Sequence, residues 1–328
     1  METGKLTADH LTNLLQRYQG AKRPEVILAG KLGEDCSYIE MGDQTLVLST
    51  DPVTAAKSDL GTIAFNINMN DIATSGAEGI GLLVTILVPP ETEYSVLETI
   101  MAELDEACVH HHLQILGGHT EVTDSVTRPI VSVTAVGRVP KGEEIYSAGL
   151  RPGDTLVVSK FLGIEGTLIL ADLEETLAAE VLTEDERREV DAFRGMLSVI
   201  PEGQVGKELR VHSMHDVTEG GILGAVYEVV TASGRGCLIN RDDLPFHPAT
   251  LKLTKALGLD ETRLISSGAM LFGTDDPETL VEELASRGID SAIIGHVTRE
   301  QELILLDEDT LESIEPVAKD EIYRVFER

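Results

Sequence analysis

The chain has few basic, aromatic and sulfur-containing residues. It contains no Trp, 4% aromatic residues, and 26 Lys and Arg against 57 Asp and Glu, giving a formal net charge of −31. The negative field repels phosphodiester backbones and anionic lipid, so we expect no nucleic-acid partner and no membrane partner. A small anionic ligand would need a divalent cation to bridge acidic side chains to its oxygens.

Cysteines and long apolar runs are also scarce. Cys36, Cys108 and Cys237 are an odd number without C-x-x-C spacing, which supports neither a disulfide framework nor a thiolate zinc site. We interpret Cys108 and Cys237 as packed, inert thiols because no adjacent basic residue lowers their pKa. The segment Met1–Gly4 lacks a signal-peptide pattern, and no segment approaches about 20 uninterrupted apolar residues. A soluble cytoplasmic protein is therefore expected.

Length and patterning predict two mixed domains. A chain of 328 residues exceeds what one compact core usually holds. Helical and strand patterns are interleaved in both halves, which indicates an α+β fold. Turn-forming residues cluster between Pro140 and Gly153, so the predicted domains are 1–148 and 149–328.

Hydrophobic periodicity places helices and strands along both halves. The expected helices cover residues 61–73 and 96–108, and the expected strands cover 45–50, 81–88, 130–139, 154–160, 269–273 and 291–297. Thr183 and Glu186 have the spacing of a capping box at the start of a helix. The helix over 61–73 is unusual because asparagines, which are poor helix formers, interrupt its apolar run.

Five short segments combine acidic residues with glycines or small polar residues. They are Gly33–Ser37, Ser49–Asp51, Asn68–Ala73, Gly117–Glu121 and Asp216–Gly221. Glycines allow a backbone to approach a phosphate, and carboxylates can hold the metal ion that accompanies it. Amides and carboxylates within the apolar helix need polar partners, which a hydrated metal or a ligand would supply.

Ordinary structural explanations stay open for some of these segments. A Gly-rich acidic turn such as Gly33–Ser37 is commonly a plain surface loop, and Asp51 is compatible with a solvated turn. Gly117–Glu121 is expected at the terminus of a strand. Either Asp216 or Thr218 can cap the helix that follows, whose N-terminal amides could also face an anion.

The order of the segments, G-E-D-C-S, S-T-D, N-x-N-D-I-A-x-x-G-A, G-G-H-T-E and D-V-T-E-G-G, resembles the aminoimidazole ribonucleotide (AIR) synthase superfamily over nearly the whole chain. Gly4–Leu6 and Ser266–Ala269 are most similar to its hydrogenase maturation dehydratases. The resemblance implies a two-domain α+β fold in which strands of the N-terminal domain join those of a second subunit in a dimeric β-barrel. It also implies that ATP, with Mg²⁺ or Mn²⁺, binds in a cleft.

The resemblance assigns roles to individual residues of this chain. As metal ligands it implies Glu34, Asp35, Asp51, Asp71, Glu121 and Asp216. As catalytic residues it implies Asp35, Asp71, His119 and Asp216. Contacts to the nucleotide are expected from Gly33, Lys57, Asn68, Asn70, Gly117, Gly118 and Thr120.

Three departures from the family pattern bear on the substrate. Glu34 stands where many relatives have Asp, which preserves the charge. His119 stands where a metal-binding Asp is usual, so it coordinates the metal, contacts phosphate or does neither, with Glu121 as a replacement. The chain finishes with Ile322–Arg328 and lacks the terminal reacting Cys of the hydrogenase maturation dehydratases. We therefore expect their chemistry to be absent in its usual form.

Together these features predict an ATP-utilising enzyme. With a divalent metal, it would transfer a phosphoryl group to an unidentified small-molecule or amide-like acceptor. A second interpretation is a metal-dependent phosphohydrolase of ATP or ADP. A third, from another class, is a nucleotide-binding accessory protein that joins a maturation complex and has no turnover.

Overall fold

The strands of the computed structural model form two sheets. The structure describes residues 6, 8–54 and 58–326. Within these ranges the strands are β1 (Val26–Leu28), β2 (Ser37–Met41), β3 (Gln44–Val53), β4 (Glu78–Val88), β5 (Gln114–Val122), β6 (Ile130–Pro140), β7 (Thr155–Ser159), β8 (Ser213–Val217), β9 (Gly236–Asn240), β10 (Ala269–Thr274), β11 (Ser291–Thr298), β12 (Leu303–Asp307) and β13 (Thr310–Ser313).

Helices alternate with these strands along the described chain. They are α1 (Ala8–Arg17), α2 (Leu60–Thr74), α3 (Tyr94–His110), α4 (Ile164–Leu173), α5 (Glu175–Val181), α6 (Glu184–Ala192), α7 (Ile200–Leu209), α8 (Gly221–Ala232), α9 (Pro248–Leu257), α10 (Pro277–Ser286) and α11 (Tyr323–Phe326). No helix of the described ranges is long and apolar enough to span a bilayer. The α+β class expected from the sequence is confirmed.

The chain divides into two compact units. We call Arg23–Ala29 with Asp35–Glu144 the N-terminal unit. The C-terminal unit contains Gly30–Glu34 and everything from Ile145 onward, together with the segment before Arg23. The domain limits 1–148 and 149–328 stay a prediction.

The N-terminal unit is a six-stranded sheet with two helices on one face. The strand order is β1-β2-β3-β6-β4-β5, and only the β4–β5 pair is parallel. Alternate residues of β3 and β6, such as Val47, Val133 and Ala135, are fully buried, as expected for a sheet covered on one side. Helices α2 and α3 can approach closely because Gly61 has no side chain. A Cβ at this position would lie 2.4 Å from the Ile100 carbonyl oxygen.

Helix α2 confirms the helix expected over 61–73 and explains its composition. It packs against β3, β6 and α3, so most of its surface is buried, including the polar Asn68, Asn70 and Asp71. Its N-terminus has no side-chain cap from Asp59, but the Gly61 amide donates to Glu103 Oε2 at 2.7 Å. Burial on several sides overrides the poor helix propensity of the asparagines.

Strand β5 contradicts one expectation from the sequence. The segment Gly117–Glu121 lies inside this strand, whereas the sequence placed it at a strand terminus. Within the part of the chain that the structure describes, the strand lies at the sheet edge beside β4, and nearly all of its residues are exposed. Polar residues are therefore tolerated along its whole length. Gly118 is held so near β4 that a Cβ would lie 1.8 Å from the Val84 carbonyl oxygen.

The C-terminal unit is built on a seven-stranded sheet in the order β13-β12-β9-β11-β7-β10-β8. Its pairs are antiparallel except β12 with β9. One core cluster joins α8 to this sheet, and a second joins α4, α5, α6 and α9 to the carboxyl-terminal residues Ile322 and Val325. The predicted capping box of Thr183 and Glu186 is present at the start of α6.

Helix α4 carries Glu165, a half-buried residue of the C-terminal unit with one shielded carboxyl oxygen. Glu165 Oε2 is shielded from solvent and has no hydrogen-bond partner among the described residues. Burial raises the pKa of Glu165 to about 7, the carboxylates of Asp320 and Glu219 add to the rise, and a hydrogen bond from Ser267 opposes it. The folded protein therefore binds this proton more tightly than the unfolded chain does.

We predict that Gly118→Ala destabilises the protein. The added methyl group collides with the β4 backbone, which cannot move without breaking the ladder, so we expect a loss of more than about 2 kcal/mol in the free energy of unfolding. Gly195→Ala is the matched control because a Cβ there meets nothing within 4 Å. Urea unfolding of the two variants measures the difference; equal midpoints would contradict the packing described for β5.

We predict a pH-dependent gain in stability for Glu165→Gln. Because the folded pKa is about 7 and the reference value is 4.5, the wild type loses stability as the pH rises between these values, while the variant has no such proton to lose. At pH 8 we expect the variant to be at least about 1 kcal/mol more stable, or roughly 2–4 °C in Tm. At pH 4.5 the difference should vanish. Thermal unfolding across this range, with the exposed Glu175→Gln as control, tests it; a constant difference would contradict the assignment.

Candidate functional site

Asp71 is a buried carboxylate of the N-terminal unit that hydrogen bonds hold in place. It lies on α2, and its side chain is 7% exposed. Ser49 on β3 donates a hydrogen bond from its hydroxyl group to Asp71 Oδ2. The Asp71 carbonyl oxygen accepts from Cys36 Sγ at 3.1 Å and from Thr74 Oγ1 at 2.7 Å. The carboxylate is thus fixed from both its side chain and its backbone.

Asp35 lies beside Asp71. A carboxylate oxygen of Asp35 is within 4.8 Å of one of Asp71, and Asp35 is half-buried. Two carboxylates at this separation repel each other unless a cation or a proton compensates them. Oxygen ligands at this spacing suit a hard divalent cation, which can contact one oxygen from each group.

Asn68 connects the helix of Asp71 to the strand of Asp51. The Asp51 amide donates to Asn68 Oδ1 at 2.8 Å, and Asn68 Nδ2 donates to the Ala64 carbonyl oxygen at 2.9 Å. Asn68 and Asn70 are fully buried, whereas Asp51 is exposed. The Asn68 amide therefore fixes the position of the Asp51 backbone on β3.

Polar residues of β5 form a separate exposed pair. His119 Nε2 lies 3.2 Å from Glu121 Oε2, and the two side chains are 65% and 53% exposed. Because they are two residues apart on a strand, they lie on the same face. Thr120 lies between them in the chain and is also exposed. The N-terminal unit thus brings two pairs of predicted site residues close together, Asp35 with Asp71 and His119 with Glu121.

The turn around Gly33 belongs to the C-terminal unit. Gly33 has φ +78°, and a Cβ there would lie 2.9 Å from the Glu228 carbonyl oxygen, so a side chain is excluded by both conformation and space. Both carboxylate oxygens of Glu34 accept backbone hydrogen bonds, from Ser147 at 3.2 Å and from Ala148 at 3.0 Å. Glu34 thereby anchors this turn.

Asp216 lies on β8 in the C-terminal unit. It is 2% exposed and pairs with Met270 across the sheet. The helix that follows, α8, has Gly220 at its N-cap position with φ +88° and no side-chain cap. The interpretation of Asp216 or Thr218 as a helix cap is therefore wrong, because the chain enters α8 through a left-handed glycine.

Three supporting residues were missed by sequence reasoning. Ser49 and Cys36 hold Asp71, and His215 precedes Asp216 with its Nδ1 3.3 Å from Ser147 Oγ and its Nε2 3.4 Å from Glu228 Oε2. The S-T-D and G-E-D-C-S segments pointed to the right stretches but not to these bonds. Nothing in the local sequence around His215 signals its partners.

The remaining predictions concern Lys57, the amino-terminal segment and two cysteines. Lys57, expected to contact phosphate, lies outside the described residues, as do Gly4 and Lys5. Burial raises the pKa of the Cys108 thiol to about 11 and that of the Cys237 thiol to about 12. These two thiols are therefore protonated near neutral pH, which confirms their interpretation as inert.

Comparison with known proteins assigns the family. Residues 33–139 match the model of the AIR synthase related protein N-terminal domain, and residues 151–308 match that of the C-terminal domain. A putative hydrogenase expression/formation protein of Methanocaldococcus jannaschii is 26% identical over 84% of this chain and 82% of its own. Carbamoyl dehydratase HypE of Escherichia coli is 28% identical over 75% and 73%.

Solved structures share the fold. E. coli HypE superposes with a TM-score of 0.75 at 22% identity, covering 97% of this chain and 99% of its own. ThiL in complex with AMPPCP and TMP gives 0.73 at 18% identity, covering 95% and 94%. A chain of a HypE–HypF complex gives 0.73 at 20% identity, covering 85% of this chain and 93% of its own. The two matched models span most of the sequence, and the chain belongs to the AIR synthase related protein family.

Proposed function

We propose that this protein binds ATP with Mg²⁺ or Mn²⁺ and transfers a phosphoryl group to a small-molecule or amide-like acceptor. The observation that carries the proposal is the Asp35–Asp71 pair, whose carboxylate oxygens lie within 4.8 Å of each other. Phosphoryl transfer depends mainly on charge neutralisation and alignment, and a carboxylate-bound cation supplies both. The ATP bound in a solved structure of hydrogenase maturation protein HypE and the AMPPCP bound to ThiL support the choice of nucleotide.

In this proposal Asp35 and Asp71 hold the cation, which neutralises phosphate oxygens when bound. Ser49 keeps Asp71 oriented, because its hydroxyl group occupies one side of the carboxylate. The family pattern implies Asp51 and Asp216 as further metal ligands, and we include both in the proposal. Asp216 is suited to this role as a buried carboxylate at the end of β8.

The remaining predicted residues have more peripheral roles. Glu34, proposed from the family pattern as a ligand, holds the Gly33 turn through two backbone amides. His119 and Glu121 can bind a cation or a phosphate as a pair because both are exposed on β5. Contacts to the nucleotide from the other family positions are part of the same proposal; these are Lys57, Asn68, Asn70, Gly117, Gly118 and Thr120.

A homodimer fits the N-terminal unit. Its edge strand β5 has β4 as its one neighbouring strand among the described residues, and apolar side chains of β4 and β5, including Leu83, Leu116 and Val122, are exposed. Exposed apolar patches beside an open strand favour pairing with another chain. We propose that a second copy covers this surface, as strands of the family do in a dimeric barrel.

Two other functions remain to be separated from this one. A phosphohydrolase would use water as the acceptor at the same metal site. An accessory protein would bind nucleotide without turnover and act in a maturation complex, which the HypE–HypF complex of its structural neighbour makes a specific alternative. The Asp35–Asp71 pair favours the catalytic readings, since clustered negative charges are destabilising without a cation.

We predict that Asp71→Asn and Asp216→Asn each lower metal-dependent nucleotide turnover by at least about 100-fold. Each substitution removes a ligand charge and little volume, so the thermal midpoint should change little. Asp105→Asn, at an exposed position on α3, is the matched control and should keep full turnover. Steady-state assays in Mg²⁺ and Mn²⁺ measure the effect. Unchanged turnover in both site variants would reject the assignment.

We predict that the purified protein leaves ATP intact when no acceptor is added. A transferase does not cleave ATP until its acceptor is bound, whereas a phosphohydrolase releases phosphate without an added acceptor. Timed separation of nucleotides after incubation with ATP or ADP and Mg²⁺ or Mn²⁺ distinguishes them, with Asp71→Asn as the control for contaminating phosphatases. Rapid release of phosphate that is absent from the variant would contradict transfer and establish hydrolysis.

A further inference from the structure

The carboxyl-terminal segment holds the turn between β8 and α8. We call Val317–Tyr323 the clasp and Thr218–Gly221 the glycine turn. The Gly220 amide donates to Asp320 Oδ2 at 2.6 Å, and the Ile322 amide donates to Asp320 Oδ1 at 2.8 Å. Asp320 is 4% exposed. One buried carboxylate thus joins the turn to the clasp across 100 residues of sequence.

A second bond is made by Tyr323. Its hydroxyl group donates to Glu219 Oε1 at 2.9 Å. Burial and the neighbouring Glu219 carboxylate raise the pKa of Tyr323 above its usual value, so the phenol keeps the proton that this bond needs. The clasp therefore forms hydrogen bonds with both the backbone and a side chain of the glycine turn.

The glycine turn has no room to shift toward its neighbours. A Cβ on Gly220 would lie 3.2 Å from Val317 Cβ, and one on Gly221 would lie 2.6 Å from the Thr262 carbonyl oxygen. The Ser266 amide donates to the Thr218 carbonyl oxygen at 3.3 Å. The turn is thus in close contact with both Val317 and the 262–266 backbone.

We infer that Asp320 and Tyr323 are positioning residues for the phosphoryl-transfer step, acting through the glycine turn on Asp216. The inference rests on the proposed function, because it assumes that Asp216 is a metal ligand. Asp216 is separated from the turn by Val217 alone. The clasp, which holds the turn, therefore also fixes the direction of the backbone that leaves β8. Metal-dependent catalysis is sensitive to displacements of about 1 Å, far less than is needed to unfold a strand.

The clasp lies outside every motif that identifies the family. Its bonds involve Asp320 and Tyr323, whereas the family model of the C-terminal domain ends at residue 308. Packing alone does not require a carboxylate at the buried position 320. A link that aligns a ligand strand gives that carboxylate a purpose beyond packing.

Tyr323→Phe tests the inference because it removes one hydroxyl group and keeps the ring. We expect turnover to fall about 10-fold and the Mn²⁺ concentration for half-maximal turnover to rise at least threefold, with the thermal midpoint within 2 °C of wild type. Amide hydrogen exchange should quicken in a peptide covering 217–224. Tyr94→Phe, at an exposed position on α3, is the matched control and should change none of these.

The outcomes separate positioning from packing. Faster exchange in 217–224 with unchanged Mn²⁺ dependence would overturn the inference, since the clasp would then be only structural. Unchanged exchange and unchanged Mn²⁺ dependence would overturn it as well. Asp320→Asn, which places an amide donor against the two backbone donors, should give the same changes more strongly.

Failure of the proposed function is detected independently. If the wild type shows no metal-dependent turnover with any nucleotide, direct Mn²⁺ binding followed by electron paramagnetic resonance replaces the kinetic readout. A threefold or greater loss of Mn²⁺ affinity in Tyr323→Phe together with faster exchange still supports the inference. Equal affinity in the variant and the wild type overturns it without reference to activity.

Discussion

The repulsion between the carboxylates of Asp35 and Asp71 is the constraint on which the N-terminal unit depends. The two groups lie within 4.8 Å of each other, and Asp71 cannot move away freely. Asp71 is held by Ser49, Cys36 and its own buried helix. Folding thus brings two like charges together and fixes them there, which is costly in the absence of a cation. A divalent ion reverses the sign of that interaction and turns the strained pair into a binding site.

The surrounding structure supports this arrangement. Helix α2 is buried on most sides, so its polar residues must bond within the protein; Asn68 does so by bridging to β3. In the C-terminal unit, Gly33, Glu34 and the glycine turn after β8 are each set by close contacts to backbone atoms. Glycines and carboxylates at these positions serve both as parts of the scaffold and as candidates for ligand contact. That double use explains why such residues recur along the chain in a fixed order.

Local sequence predicted the elements better than it predicted the bonds between them. The helix of Asp71 and the Thr183 capping box follow from periodicity and spacing within one segment, and both are present. The prediction that Gly117–Glu121 lies at the terminus of a strand was wrong. These residues lie inside β5, because an exposed edge strand tolerates polar residues that no local pattern marks as a strand. The contacts of Ser49 and Cys36 to Asp71 join residues 22 and 35 positions apart. Such contacts depend on how strands and helices pack, which residue spacing does not encode.

The central claim is that Asp35 and Asp71 hold a divalent cation beside a nucleotide. Crystals grown with Mn²⁺ and a non-hydrolysable ATP analogue allow it to be tested by anomalous diffraction at the manganese edge. We expect a peak at bonding distance, about 2.1 Å, from oxygens of Asp35 and Asp71. Clear density for the nucleotide with manganese bound elsewhere, or with none bound to these two carboxylates, would contradict it.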